Sequence, residues 1–395
     1  MENNIKAAII VTIKNKLPLY RDGIIAEKIE LIELNEVGFN LVAQKDLYKI
    51  GDKAIFIQPD YCLSDISLFE NFIRPNGDET KSMLGKIEGV PKRIRAKKFN
   101  FTKEINGSDK IYSNGILLPI IEVQNYLDKV DLYDKLLPNW SNLNDLLNIT
   151  KYEEPDNGKL NISKSSTFPS NVYKTDETNI LNLKNKIEFP IRLIGTKKID
   201  GSSITFGFID NKPIICSRNI SKPLTYKKQI GHRQKTFLEK LIFWKKIDLR
   251  VFKEVENDQD DFVKYAKPIL DNLKDNIERN ILFRGELSGG TLKGSGNKNN
   301  PERLEKPNIK IFDVNFLDGN NVFKKANHIN FIATCENYDL EIAPIIFDKT
   351  FESFEELIIE CKNYFNNNLI EGIVVKNFES TFSAKIMNDE YDSKK

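Results

Sequence analysis

Ile194-Gly195-Thr196-Lys197-Lys198-Ile199-Asp200-Gly201-Ser202-Ser203 ends an apolar run with a Lys-x-Asp-Gly tetrapeptide and returns to apolar sequence at Ile204. A lysine at the mouth of a strand turn is a candidate nucleophile when nearby cations or burial favour its uncharged amine. The tetrapeptide alone reads more readily as an ordinary Asp-Gly turn beside a solvated lysine. Its downstream context is more specific. Cys216-Ser217-Arg218-Asn219, Phe283-Arg284-Gly285-Glu286-Leu287, Lys310-Ile311-Phe312-Asp313, Glu371-Gly372-Ile373-Val374-Val375-Lys376 and Phe382-Ser383-Ala384-Lys385 follow in that order. Read singly, Glu371 starts a solvated turn, Phe312 is core, and Lys376 and Lys385 are strand-edge charges.

The 395 residues predict two or three domains at about 150 residues each. The 59 basic and 57 acidic residues leave a formal charge of +2, so net charge alone advertises no polyanion partner, although local patches can hold one. The apolar fraction of 40% and the 25 Phe exclude a disordered chain. No apolar run approaches the roughly 18 residues of a membrane span. The opening MENNIKAAIIVTIKNK lacks a signal-peptide h-region and cleavage site. A cytoplasmic, unprocessed chain without membrane contact is expected. Cys62, Cys216, Cys335 and Cys361 have no CxxC spacing and lie far from His232 and His328, which argues against structural zinc and against Ser-His-Asp or Cys-His chemistry. Lys, Asp, Glu or a metal is left to do any catalysis.

Short strands are predicted around 7–11, 39–42 and 49–57, spaced as in a small barrel. The stretch Arg93-Ile94-Arg95-Ala96-Lys97-Lys98-Phe99 reads either as a nucleic-acid track of an oligonucleotide-binding (OB) fold or as a charged edge strand. A helical segment follows from about 122. The polar run 151–171 marks a boundary, dividing the chain into an OB-like domain 1–150, a linker 151–164 and a second domain 165–395. A long charged helical stretch is predicted between about Thr225 and Asn280. Within it, Tyr226-Lys227-Lys228-Gln229-Ile230-Gly231-His232-Arg233-Gln234-Lys235 is either a phosphate-contacting patch or a solvated helix face. Gly289 and Gly294 have P-loop spacing, but Ser295-Gly296 replaces the required Lys-Ser/Thr. That run reads as a surface loop or an active-site loop instead.

The ordered series resembles motifs I, Ia, III, IIIa, IV and V of the covalent nucleotidyltransferase superfamily, which includes ATP-dependent DNA and RNA ligases and capping guanylyltransferases. The resemblance implies an α+β protein: an N-terminal OB-like β-barrel, then an antiparallel-sheet nucleotidyltransferase domain of the ATP-grasp-like ligase kind. It also implies the roles of the site residues. Lys198 attacks the α-phosphorus of ATP, Lys376 and Lys385 neutralise phosphate charge, and Glu371 ligates Mg²⁺ or Mn²⁺. Arg218 and Glu286 hold the ribose and phosphate end, Phe312 stacks on adenine, and Lys197, Asp200, Gly201 and Asn219 complete the nucleotide site. Motif V departs from the pattern: some RNA ligases carry Lys-x-Lys where this chain has Lys385-Ile386-Met387, leaving open whether Lys376 replaces the second lysine.

DNA ligases and capping enzymes carry an OB domain beyond motif V, whereas ten residues follow Lys385 here and the barrel-like module comes first. This order resembles the Deinococcus-type RNA ligase family over nearly the whole chain. Val37-Gly38-Phe39, Gly51-Asp52-Lys53, Ser113–Pro119 and Lys174-Thr175-Asp176-Glu177 are similar to that family too, with Asn179 and Leu181 where an Arg and a Gln are expected. The implied activity is ATP-dependent sealing of 3′-OH and 5′-phosphate ends through a lysyl-AMP and an RNA-adenylate. The implied partners are ATP and RNA or an RNA-containing nicked duplex with an RNA 3′-OH strand, with no known protein partner. A DNA ligase, a capping guanylyltransferase or an inactive nucleic-acid-binding protein are the alternatives. The filled charged positions of the six motifs weigh against the last.

Overall fold

The computed structural model describes residues 6–152, 166–169, 172, 176–234, 236, 250–274, 280–290, 305–320 and 322–394. Most of the predicted linker (153–164), Lys174-Thr175, Lys235 and the Gly-rich run from Thr291 lie outside the described residues. The architecture is mixed α/β with mostly antiparallel sheets. No helix among the described residues is long and apolar enough to cross a membrane.

The N-terminal half is built on β1 (Ala8–Leu17), β2 (Ile29–Leu34), β3 (Asn40–Gln44), β4 (Lys53–Ile57) and β5 (Ile116–Pro119), in the order β5-β4-β1-β2-β3. Ala54-Ile55-Phe56-Ile57 is buried throughout because β4 has strands on both edges and core on both faces. On one face, Val123 and Leu127 of α1 (Ile120–Lys129) close a core with Ile55 and Ile57; on the other, Phe39 packs at 5.2 Å on Phe56. A second, four-stranded sheet runs Thr150–Lys151, Tyr61–Cys62, Val90–Arg93, Gly85–Ile87. It carries Arg93 and Lys151, and Asp60 directly precedes its Tyr61–Cys62 strand.

Two larger sheets form the rest. One has seven strands, in the order Ser166–Thr167, Ile220–Ser221, Lys212–Ser217, Ser202–Ile209, Ile281–Ser288, Asn308–Leu317 and Phe323–Lys325. The other has five: Thr178–Asn179, Ser383–Met387, Gly372–Asn377, Ile191–Lys198 and Ile345–Phe351. Each has one face covered by helix. Asp260 caps α2 (Asp261–Leu273) by accepting from the Phe262 and Val263 amides, and Val263, Ala266 and Leu270 then pack on Ile204, Phe206 and Phe283 of the seven-stranded sheet. Phe331 and Cys335 of α3 (His328–Asn337) join the same core. Ser353 accepts from the Glu356 amide to start α4 (Phe354–Asn367), whose Leu357 and Cys361 pack on Leu193, Ile373 and Val375 of the five-stranded sheet. Residues of both sheets line a cleft between them.

The long helix predicted between Thr225 and Asn280 is not formed among the described residues. Thr225–His232 and Arg250–Glu256 pair as an antiparallel hairpin, and the described helix is confined to Asp261–Leu273. Lysines dominate the composition, but Thr225, Tyr226, Val251, Phe252 and Val255 favour extended backbone, and Asp260 is the first strong helix cap.

Candidate active site

The Lys-x-Asp-Gly segment joins the two large sheets. Lys198 is the last residue of Ile191–Lys198 in one sheet, and Ser202 is the first of Ser202–Ile209 in the other. The turn therefore puts the lysine at the cleft. Gly201 is required by close approach: a Cβ there would stand 2.5 Å from the Leu287 carbonyl and 3.0 Å from Glu286 Cγ. Gly372 does the same across the sheet, where a Cβ would lie 2.5 Å from the Ile386 carbonyl. Gly372 is the cross-strand partner of Lys198, so Glu371, next to it, meets the amine: Lys198 Nζ donates to Glu371 Oε2 at 2.5 Å.

Around this pair lies a cleft of about 300 Å³, the size of a small-ligand pocket. Lys197, Lys198, Asp200, Gly201, Arg218, Asn219, Glu286, Phe312, Glu371 and Lys385 all line it. Asp200 is buried and its Oδ2 accepts from the Tyr391 hydroxyl at 2.7 Å. Burial pushes the Glu286 carboxyl up to about 8; Lys198 pulls it back, while Glu371 and Asp200 add to the rise. Arg218 Nη2 lies 3.5 Å from Asp176, which also pairs with Lys151. Asn219 Oδ1 is buried with no hydrogen-bond partner among the described residues, an acceptor available to a ligand. Burial lowers the Lys385 ammonium below its usual range, and the nearby Lys198 adds to this, against the pull of Asp60 at 3.7 Å.

Lys376 is placed differently. It is not among the cleft-lining residues; its Nζ donates to the Phe312 carbonyl at 2.6 Å and lies 3.4 Å from Asp313. Asp313 is also paired with Lys325, at 3.2 Å, and Lys325 reaches Glu177 at 3.4 Å. Met387, at the place of the second motif V lysine, does line the cleft.

Several cleft residues lie outside the six motifs. Asp60, Arg93 and Tyr152 come from the N-terminal half, and Asp392 from α5 (Asp389–Lys394). Arg93 opens the basic stretch 93–99. Its Nη2 donates to Asp60 Oδ1 at 2.7 Å, its guanidinium lies 4.1 Å from the Tyr152 ring, and its buried Nε has no partner among the described residues. Asp60 sits at φ +66° after Pro59, a left-handed conformation that marks a constrained turn. Burial raises the Asp60 carboxyl, but Lys385 and Arg93 more than reverse this and hold it below its usual value. Tyr391 has no signal in the sequence. α5 ties the halves together, with Asp392 accepting from the Ala96 amide at 3.0 Å and Asp389 from the Asn114 side chain at 3.1 Å.

Among the described residues, no three His, Cys, Asp or Glu side chains converge on a metal-sized point. The Glu286 carboxyl, raised by burial and further by the nearby Glu371, lines the cleft with Glu371, and the two suit a divalent cation that takes one or two carboxylates and completes its shell with phosphate and water.

The fold, two large mostly antiparallel sheets with a lysine at their junction, is shared with solved RNA ligase structures. A variant of the Naegleria gruberi RNA ligase with ATP and Mn superposes with a TM-score of 0.68 at 21% identity, covering 99% of each chain. The same ligase with PPi gives 0.68 at 21% identity over 99% of this chain and 98% of that one. Another variant, with AMP and Mn, gives 0.67 at 21% over 99% of each. No curated protein matches the chain. Residues 191–387 match the RNA ligase family.

Proposed function

We propose that the protein is an ATP-dependent RNA ligase of the Deinococcus type that seals 3′-OH and 5′-phosphate ends, at nicks whose 3′-OH strand is RNA. The observation that carries this is Lys198 at 2.5 Å from Glu371 in a cleft that also holds Asp200, Glu286, Arg218 and Lys385. The N-terminal half, read as an OB-like module, supplies Asp60 and Arg93 to that cleft. ATP and AMP with Mn are bound in the similar Naegleria ligase structures.

In the first step the Lys198 amine, having lost a proton, forms an N–P bond to the α-phosphorus of ATP while the bond to pyrophosphate breaks. An RNA 5′-phosphate oxygen then takes the adenylyl group, the P–N bond breaks and the amine is restored. Finally the 3′-OH loses its proton, its oxygen bonds to the activated 5′-phosphorus, and AMP leaves. Lys385 and Arg218 neutralise phosphate charge, Phe312 offers its half-buried ring to the base, and Asn219 Oδ1 accepts from the nucleotide. Glu371 and Glu286 would hold Mg²⁺ or Mn²⁺, which supplies further neutralisation of the phosphates. Lys376 and Asp313 serve as a strut between the two sheets.

Mass spectrometry after incubation with ATP and Mg²⁺ or Mn²⁺ tests the reading. An added adenylyl mass on Lys198, absent with GTP and from Lys198→Ala, is expected. No added mass on the wild-type chain overturns it.

A further inference from the structure

The hairpin of Thr225–His232 and Arg250–Glu256 forms a two-stranded sheet of its own, paired to neither large sheet among the described residues. Such a hairpin is marginal by itself, and its residues are mostly exposed. Its chemistry is not that of a support. Lys228 stands directly across from Lys253, a like-charged pair that costs stability. Of its acidic side chains, Glu256 pairs with Lys267 at 2.9 Å, while Glu254 accepts from the Thr225 hydroxyl at 2.6 Å and stands across from Lys227. Among the described residues, Lys227, Lys228 and Lys253 have no carboxylate within ion-pair distance. Phe252 remains 44% exposed beneath the Arg250 guanidinium at 5.6 Å.

The root of the hairpin is fixed to the rim of the cleft. The Asn257 amide donates to the Leu224 carbonyl at 2.9 Å, and the Asn257 side chain to the Pro223 carbonyl at 2.8 Å. Five residues beyond, Phe262 of α2 lines the cleft beneath the Lys222 ammonium at 4.9 Å.

We propose that this hairpin is an RNA-holding arm, with Lys227, Lys228 and Lys253 contacting the phosphates of the strand that leaves the cleft. Lys228 and Lys253 share one face of the ribbon and Lys227 lies on the other, across from Glu254; exposed cations on a hairpin ribbon are the chemistry that recognises a phosphodiester backbone. For its partner the arm rests on the RNA ligase reading, but its test is separate from adenylylation.

The full-length protein is compared with the triple variant Lys227→Ala, Lys228→Ala, Lys253→Ala, and with the triple Lys→Arg variant. Affinity for a nicked RNA duplex is measured from 50 to 200 mM salt, with adenylylation of Lys198 as the folding control. Each phosphate no longer engaged lowers the log–log salt slope by about 0.7–0.9, so the Ala variant, lacking three lysines, is expected to fall by about 2–3 in slope. Its adenylylation should stay unchanged and the Arg variant should keep the slope. An unchanged slope in the Ala variant overturns the arm. If wild type binds RNA with a slope that depends on these lysines yet never adenylylates, the ligation mechanism fails and the arm stands.

Discussion

Lys376 and Lys385 lie nine residues apart on neighbouring strands of one sheet, and they face different worlds. Lys385 lines the cleft beside Asp60, whereas Lys376 donates to the Phe312 carbonyl and pairs with Asp313. Two positions along a strand separate them: Val374, the partner of Lys385, borders the cleft, while Lys376, on the same face, reaches Phe312 and Asp313 of the opposite sheet. Equal charge thus stands in the cleft at one place and pairs across the sheets at the other.

Lys385→Ala is expected to lower the rate of Lys198 adenylylation by about 10²–10³, the size of a lost charge-stabilising donor, with little change in unfolding. Lys376→Ala should instead destabilise by about 3 kcal/mol, because Asp313 is only 2% exposed and loses one of its two cations. Denaturant unfolding and single-turnover labelling, run on both variants, separate the two effects. The double variant Lys376→Met, Asp313→Asn should recover stability. Loss of labelling in Lys376→Ala without loss of stability would make the two lysines equivalent.

Arg93 carries the contrast to the other half of the chain. Arg93→Gln should raise the KM for ATP about tenfold, the value of one charged hydrogen bond of roughly 1.4 kcal/mol, with Arg93→Lys intermediate. A changed kcat at constant KM would place Arg93 outside nucleotide binding.

Glu286 gives a pH signature. Its carboxyl is raised from 4.5 to about 8, so the folded chain binds a proton that the unfolded chain has released. That contribution to stability is complete below about pH 4.5 and is lost as pH rises towards 8. Glu286→Gln should flatten the fall of Tm across this window. A parallel fall in both proteins would show that burial leaves this carboxyl unshifted. The smallest effect is expected for Tyr391→Phe, a few-fold loss of adenylylation as Asp200 loses one hydrogen bond. Its absence would reduce Tyr391 to packing.

How far the site is legible in the chain differs by residue. Lys198, Asp200, Gly201, Glu286 and Glu371 can be picked out by the ordered series of motifs and the family it resembles, since read singly each is an ordinary turn or strand residue. Asp60, Arg93, Tyr152 and Tyr391 cannot, because their part depends on how the N-terminal sheet and α5 seat against the cleft; Tyr391 and Asp200 alone are 191 residues apart. The basic stretch 93–99 shows the division within itself. Arg93 turns into the cleft, the Ala96 amide ties to Asp392, and Lys97 and Lys98 stay exposed. The hairpin reads as helix because lysines suit both states, and only pairing with a distant strand selects one.

Residue type and spacing alone establish the order of the motifs, the strand-end lysine and the glycines that let neighbouring backbones approach, since all of these are local matters. Packing settles which lysine faces the cleft and which pairs across the sheets, because both share one face of one sheet and are told apart by what stands opposite them. It also brings residues of the N-terminal half to the cleft, because charge acts across space and chain order carries no record of that distance.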